Sequence, residues 1–171
     1  MRLLPAAALS DLFPLSRAIP LMREGFRLIS RGDARVAERQ ALGLESGTGL
    51  LMGAAHENYG LAAKLVSVMP GNLDKGLPGS IGLVMLMAPD TGEPLAMIDG
   101  TRLTALRTAA LNACAIDELA RRDSETALLI GCGTQAREQL VAMAAVRELR
   151  RVFVLGRDPG RVAGFIEANQ G

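Results

Sequence analysis

Apolar and polar positions follow two different periods along the chain, and the first long stretch has the helical one. Between Pro14 and Arg31, apolar residues recur at steps of three and four, which predicts an amphipathic helix that ends before Gly32. Pro20 falls inside this span and suits the first turn of a helix, so the start of the helix proper stays open between the two prolines. The small apolar residues 1–13 fit either a strand or a short helix.

The pattern then changes to short apolar runs separated by turn residues, which is typical of strands. Asp90-Thr91-Gly92 connects the last two runs over a few residues, as in a hairpin. We therefore predict an antiparallel sheet region between residues 34 and 99. Its strands are expected at Thr48–Ala54, Gly60–Met69, Ile81–Ala88 and Leu95–Ile98.

A helix rich in alanine is predicted from Thr101 to Arg121, and its small side chains would let neighbouring backbone approach closely. Arg122-Asp123-Ser124 ends this helix, so we place a domain boundary near residue 122. Residues 1–122 are predicted to form an antiparallel α+β domain.

The next stretch has the order strand, tight turn, helix, strand. Its strands are predicted at residues 127–130 and 151–155, around a helix from about Gln135 to Leu149. The turn Gly131-Cys132-Gly133-Thr134-Gln135-Ala136 has the G-x-G-x-x-A spacing of dinucleotide-binding folds. There the first glycine permits the turn, the second admits a pyrophosphate, and Ala136 keeps the helix close to the strand. A glycine-rich turn that serves packing alone is the alternative.

The predicted fold class is therefore α/β, an α+β domain followed by a Rossmann-type NAD(P)-binding domain that starts at residue 123. A doubly wound dinucleotide domain has about six parallel strands, whereas residues 123–171 supply two and one more short helix near 161–168. We expect this second domain to be incomplete.

Composition excludes several classes of function. The net charge is +1 with 19 basic and 18 acidic residues interspersed, which indicates neither a nucleic-acid surface nor a polybasic membrane patch. No apolar run reaches transmembrane length. Cys114 and Cys132 lack metal-ligand spacing, and reduced thiols in a cytoplasmic protein are expected. His56 has no partner at ligand spacing, so no metal site is predicted.

Three cations are candidates for binding a carboxylate. Lys64 lies among apolar residues of a predicted strand, where it either extends to water from an edge strand or faces a pocket. Arg107 lies in the alanine-rich helix and could form a structural ion pair or clamp a carboxylate. Surface alternation explains Arg39 equally well.

Several short motifs follow one another along the chain. They are Lys64-Leu65-Val66-Ser67-Val68, Gly76-Leu77-Pro78, the block from Asp99 to Ala110 that contains D-G-x-x-L-T-x-L-R-T-A-A, and Gly131-x-Gly133-Thr134-Gln135-Ala136. On these motifs the chain resembles the ornithine cyclodeaminase and mu-crystallin family from about residue 35 onward.

The resemblance implies an NAD(P)-dependent homodimeric enzyme that transfers hydride at the Cα of an amino acid or cyclic imino acid. It implies that Lys64 and Arg107, with Arg39, bind the substrate carboxylate. Thr134 and Gln135 match the cofactor-contacting turn, together with Gly131, Gly133 and Ala136. Whether the family member is a pyrroline-2-carboxylate or ketimine reductase, a cyclodeaminase, or a non-catalytic mu-crystallin-like binding protein or inactive remnant stays open.

Two further expectations concern the cofactor and turnover. NAD-specific folds place an acid at the end of the second strand, where this chain has Gly156 followed by Arg157, so NADP(H) is predicted over NAD(H). Asp158 lies close enough to keep that choice open. Relatives carry a catalytic aspartate later in the Rossmann half, so no catalytic residue is assigned and residues 1–171 alone are expected to be inactive.

Overall fold

The computed structural model describes residues 1–170, which form two compact units. The first unit comprises residues 1–14 and 24–104, and the second comprises residues 15–23 and the chain from Ala105 onward. The division falls inside two helices, between residues 23 and 24 and between residues 104 and 105, rather than near residue 122. The proposed domain boundary at 122 stays a prediction.

The first unit contains a seven-stranded sheet. Its order is β1-β7-β6-β5-β4-β2, and β3 pairs with β4 as well. Neighbours are antiparallel except β1, which is parallel to β7, so the predicted antiparallel sheet and its β6–β7 hairpin are confirmed. The strands are β1 (Arg2–Leu4), β2 (Arg35–Val36), β3 (Gln40–Leu44), β4 (Gly47–His56), β5 (Gly60–Val68), β6 (Ser80–Met87) and β7 (Pro94–Asp99).

The helices of the first part of the chain correct two expectations. Residues 1–13 form both a strand and a helix rather than one of them. The next helix runs through Pro20 instead of starting there, because Leu15 and Ile19 pack against the buried residues Ala109 and Ala113. The helices are α1 (Ala6–Leu12), α2 (Leu15–Arg31), α3 (Gly100–Leu119) and a short 3-10 helix (Pro70–Lys75).

The second unit contains the predicted strand–helix–strand order. The strands β8 (Thr126–Ile130) and β9 (Arg151–Leu155) are parallel, with α4 (Ala136–Ala144) between them and α5 (Pro159–Glu167) after them. Leu129, Ala136 and Met143 form its apolar centre. The helix α4 ends five residues before the predicted Leu149, where the chain turns and carries the guanidinium of Arg147 inward.

Candidate functional site

Lys64 lies on β5, between β4 and β6, so the interpretation of an edge-strand lysine is wrong. Its cross-strand neighbours are Met52 and Val84. The ammonium does not point away from the sheet into open water, because Nζ donates a hydrogen bond to Oγ1 of Thr104 over 2.5 Å. Lys64 therefore holds a partly buried positive charge above an apolar sheet face.

Arg39, in the connection between β2 and β3, lines the same pocket as Lys64. The pocket has a volume of about 270 Å³. Its other walls are small or apolar side chains and include Val36, Met52, Ala54, Ala62 and Val84. Two cations beside apolar walls attract an anionic group more strongly than they would in open water, because the local dielectric constant is lower. The fold thus brings two of the three candidate cations together.

Arg107, the third cation, lies on α3 in the second unit and is exposed. Its place in the family motif, rather than a contact within either unit, supports its proposed role. The next residue, Thr108, has a buried hydroxyl that finds no hydrogen-bond partner among residues 1–170.

Thr104 is the site residue that sequence reasoning missed. It belongs to the L-T-x-L-R block, but nothing in the spacing shows that it would meet a lysine 40 residues earlier. Its Oγ1 also donates to the carbonyl O of Gly100 over 2.5 Å. Only the packing of the first turn of α3 on the sheet brings these groups together.

The glycine-rich turn has the backbone that its sequence predicts. Gly131 has φ +98°, a conformation that glycine adopts without strain, and its N–H donates to the carbonyl O of Leu155 over 2.7 Å. Gly133, Thr134 and Gln135 are exposed, whereas Ala136 is buried where α4 begins. No side chain among residues 1–170 caps this end of α4. The exposed turn and the open helix N-terminus fit the pyrophosphate of a dinucleotide.

The end of β9 has little room for a side chain at Gly156. A Cβ there would lie 2.6 Å from Cγ2 of Val162. The following Arg157 is exposed. Asp158 is engaged as the N-cap of α5, where Oδ1 accepts the backbone N–H of Arg161 over 3.0 Å.

Residues 1–170 contain neither a cluster of metal-ligand side chains nor a helix suited to cross a membrane. No group of three or more His, Cys, Asp or Glu side chains there could hold a metal ion. No helix in the described part of the chain has the length and apolar character needed to span a membrane. His56 is the last residue of β4, and its Nδ1 accepts the backbone N–H of Asn58 over 3.1 Å.

Several known proteins with similar sequences and structures have names that refer to an amino or imino acid substrate. Alanine dehydrogenase of Archaeoglobus fulgidus is 41% identical over 146 residues, which cover 85% of this chain and 43% of that protein. The Δ1-pyrroline-2-carboxylate reductase of Thermococcus litoralis, solved with NADH and L-proline, matches with a TM-score of 0.92 at 36% identity over 98% of this chain and 53% of that one. An archaeal alanine dehydrogenase dimer with bound NAD matches with a TM-score of 0.92 at 34% identity, over 98% of this chain and 52% of that one.

The chain thus spans about half the length, or less, of the relatives it matches. The family model named ornithine cyclodeaminase/mu-crystallin family matches residues 3–171. The residues that carried the resemblance lie on the elements just described: Lys64 on β5, the D-G-x-x-L-T block at the start of α3, and the glycine-rich turn between β8 and α4. The chain belongs to the ornithine cyclodeaminase/mu-crystallin family.

Proposed function

We propose that this chain contributes the carboxylate-binding and dinucleotide-binding parts of an NAD(P)-dependent enzyme that transfers hydride at the Cα of an amino or cyclic imino acid. The observation that carries the proposal is the pocket in which Arg39 and Lys64 lie together beside apolar walls. Such a pocket suits a small molecule with a carboxylate at one end and an aliphatic body.

In this proposal the two cations hold the substrate carboxylate. An arginine can bind a carboxylate with two parallel N–H···O bonds, and a lysine adds a compact point charge. We include Arg107 as a third carboxylate ligand because it lies in the family motif L-T-x-L-R. Fixing the carboxylate orients the Cα of the substrate, which is the protein's share of the catalysis.

The glycine-rich turn would hold the cofactor. Gly131 and Gly133 leave its backbone open, Thr134 and Gln135 are exposed beside it, and the N-terminus of α4 favours the negative pyrophosphate. When bound, the nicotinamide supplies or accepts the hydride. No residue of this chain is assigned to proton transfer.

Among the activities left open by the sequence, we favour an imine reductase, with pyrroline-2-carboxylate as the substrate to test first. The small apolar walls beside Lys64 suit an aliphatic ring, and a pyrroline-2-carboxylate reductase is among the structural relatives. A cyclodeaminase would need further steps on the same site, and a non-catalytic binding protein would retain the pocket without turnover.

The preference for NADP(H) over NAD(H) also stays a proposal. The two structural relatives described above contain NADH and NAD, which favours NAD for those proteins. In this chain, Gly156 offers no carboxylate to the ribose and Asp158 is engaged as a helix cap. The exposed Arg157 could meet a 2′-phosphate. Steady-state assays of the unaltered protein and of Arg157→Ala, each with NADPH and with NADH, test this cofactor preference.

The proposed function is tested by following NADPH and NADH consumption with Δ1-pyrroline-2-carboxylate. In a protein that turns over, Lys64→Met and Arg107→Ala should each lower kcat/KM about tenfold or more, mainly through KM, because each removes a charge-assisted contact to the carboxylate. Arg27→Ala is the matched control, since Arg27 is an exposed arginine of α2 away from the pocket. Unchanged kcat/KM in correctly folded Lys64→Met would refute the assignment.

Binding without turnover would identify the non-catalytic alternative.

The expected inactivity of residues 1–171 alone is tested in the same assay, and steady imine reduction by that purified chain would contradict it. A cytoplasmic location remains part of the proposal, tested by cell fractionation.

The proposal includes a homodimer, with a second copy on the sheet face opposite Lys64. On this face Leu51, Leu65 and Leu83 form a cross-strand row, and 38%, 52% and 41% of their respective surfaces are exposed. An apolar row of this extent favours a partner surface. The archaeal relative described above is itself a dimer.

A further inference from the structure

The hydrogen bond between Lys64 and Thr104 has a direction fixed by the chemistry of both groups. A lysine ammonium has three N–H donors and no acceptor, so Nζ donates and Oγ1 of Thr104 accepts. The hydroxyl carries one hydrogen, which Oγ1 donates to the carbonyl O of Gly100. With that hydrogen engaged, the lone pairs of Oγ1 remain for the ammonium. Thr104 is therefore preset as an acceptor.

Thr104 is itself held firmly in place. The first turn of α3 is fixed to β6, because Oγ1 of Thr101 accepts the backbone N–H of Gly82 over 2.9 Å. The side chain of Asp99 caps the same turn by accepting the N–H of Arg102 over 2.7 Å. A threonine has few side-chain rotamers in a helix, and its bond to the carbonyl four residues earlier selects among them. The acceptor thus has a defined position above the sheet.

A free lysine side chain has four rotatable bonds and would lose much of this freedom when it binds an anion. Anchoring Nζ before the ligand arrives removes part of that loss and keeps the charge at the pocket. Of the three N–H groups of the ammonium, Thr104 accepts one.

We propose that Thr104 is a positioning residue that holds the Lys64 ammonium in its pocket for the substrate carboxylate. The proposal rests on the proposed function, because it takes Lys64 as the carboxylate ligand. Thr104 acts through Lys64 and does not itself touch the substrate.

The sequence makes a direct measurement possible, since Lys64 and Lys75 are its only lysines. Lys75, exposed at the end of the 3-10 helix, serves as an internal reference. In protein with ¹³C,¹⁵N-labelled lysine, NMR relaxation should show an ordered Lys64 terminal group and a mobile Lys75. Thr104→Val, which removes the hydroxyl at nearly constant volume, should raise the mobility of Lys64 toward that of Lys75. Thr104→Ser should restore the order.

Ligand binding gives the second readout. L-Proline should shift the Lys64 signals and not those of Lys75, whereas L-prolinamide, which lacks the carboxylate, should shift neither. Thr104→Val should weaken the apparent affinity for L-proline about tenfold, and have no further effect in a Lys64→Met background. Thr108→Val is the matched control, because it removes from the same helix a hydroxyl without a hydrogen-bond partner among residues 1–170.

The outcomes separate the two proposals. If L-proline leaves Lys64 unshifted in the unaltered protein, the carboxylate role of Lys64 fails, and the proposal for Thr104 fails with it. If L-proline binds through Lys64 but Thr104→Val leaves both the order of Lys64 and the affinity unchanged, only the role of Thr104 is overturned. An effect of Thr104→Val that persists undiminished without Lys64 would show a purely structural role.

Discussion

At the scale of single residues, Arg147 shows how one buried cation can complete a helix. The helix α3 ends at Leu119, and the guanidinium of Arg147 donates to carbonyl oxygens in its last turn and just beyond it. Nη2 bonds the carbonyls of Ile116 and Ala120, each over 2.9 Å, and Nε bonds that of Arg121 over 3.0 Å. The carbonyls of Ile116 and Arg121 also accept backbone N–H groups, from Ala120 and Ser124, so the guanidinium adds a charge-assisted donor at the end of the helix.

We expect Arg147→Lys to lower the free energy of unfolding by about 1–3 kcal/mol, because the lysine cannot reach this many acceptors and the charge-assisted hydrogen bonds to them are lost. Chemical denaturation followed by circular dichroism measures the change. Arg150→Lys is the control, since Arg150 forms an exposed pair with Glu125 over 3.1 Å and should change stability by less than about 1 kcal/mol. Equal effects of the two substitutions would contradict this account.

The same variant should alter the response to acid. A hydrogen bond from Arg147 holds the pKa of Asp117 below its ordinary value in the folded protein. Because the pKa of this carboxyl is lower in the folded protein than in the unfolded chain, its ionised form stabilises the fold. This stability is complete above the ordinary pKa and is lost as the pH falls through the pKa of the folded protein. Arg147→Lys should therefore reduce the loss of stability on acidification in that range, which denaturation curves at a series of pH values would show.

At the scale of elements, the packing of α3 on β6 depends on two glycines. A Cβ at Gly100 would lie 2.6 Å from the carbonyl carbon of Gly82 and 2.7 Å from the backbone N of Leu83. Backbone atoms cannot move aside as a flexible side chain can. The close approach therefore fixes the start of α3, and with it Thr104.

Gly100→Ala should destabilise the protein by about 1–3 kcal/mol or more, because the methyl group forces β6 and α3 apart. Gly25→Ala is the matched substitution, since a Cβ at Gly25 in α2 meets nothing within 4 Å. That change should stabilise by about 0.5–1 kcal/mol through helix propensity. Thermal unfolding of both variants checks the difference in sign. A Gly100→Ala variant of unchanged stability would show that the close approach does not hold α3 against β6.

The local pattern of apolar and polar residues was enough to predict the elements in which this pattern has one clear period. The strand and turn from Ala127 to Ala136 were predictable because apolar run, glycine spacing and helix follow one another in sequence. The strands β2 and β3 were not, because their two- and five-residue pairings, respectively, are decided by contact with β4. Likewise, spacing cannot show that Arg39 and Lys64 share a pocket, since strand register brings them together.

At the scale of the whole molecule, the exposed leucine row on the sheet predicts self-association. Leu65→Asp should shift a dimer to monomers, because a charge in the centre of an apolar interface is left without a partner. Sedimentation equilibrium at micromolar concentrations measures the mass. Leu73→Asp is the control, since Leu73 is an even more exposed leucine in the 3-10 helix, outside the row. A monomeric parent protein, or a dimer that survives Leu65→Asp, would contradict the proposed interface.

The alternation along β5 has a consequence for how related chains can vary in length. Lys64 and Leu65 are adjacent and point to opposite faces of the sheet. A single inserted or deleted residue within Gly60–Val68 would exchange the two faces and remove both the pocket cation and the apolar row at once. Length changes should therefore accumulate in the connection between β5 and β6, at residues 69–79, where neither face is disturbed.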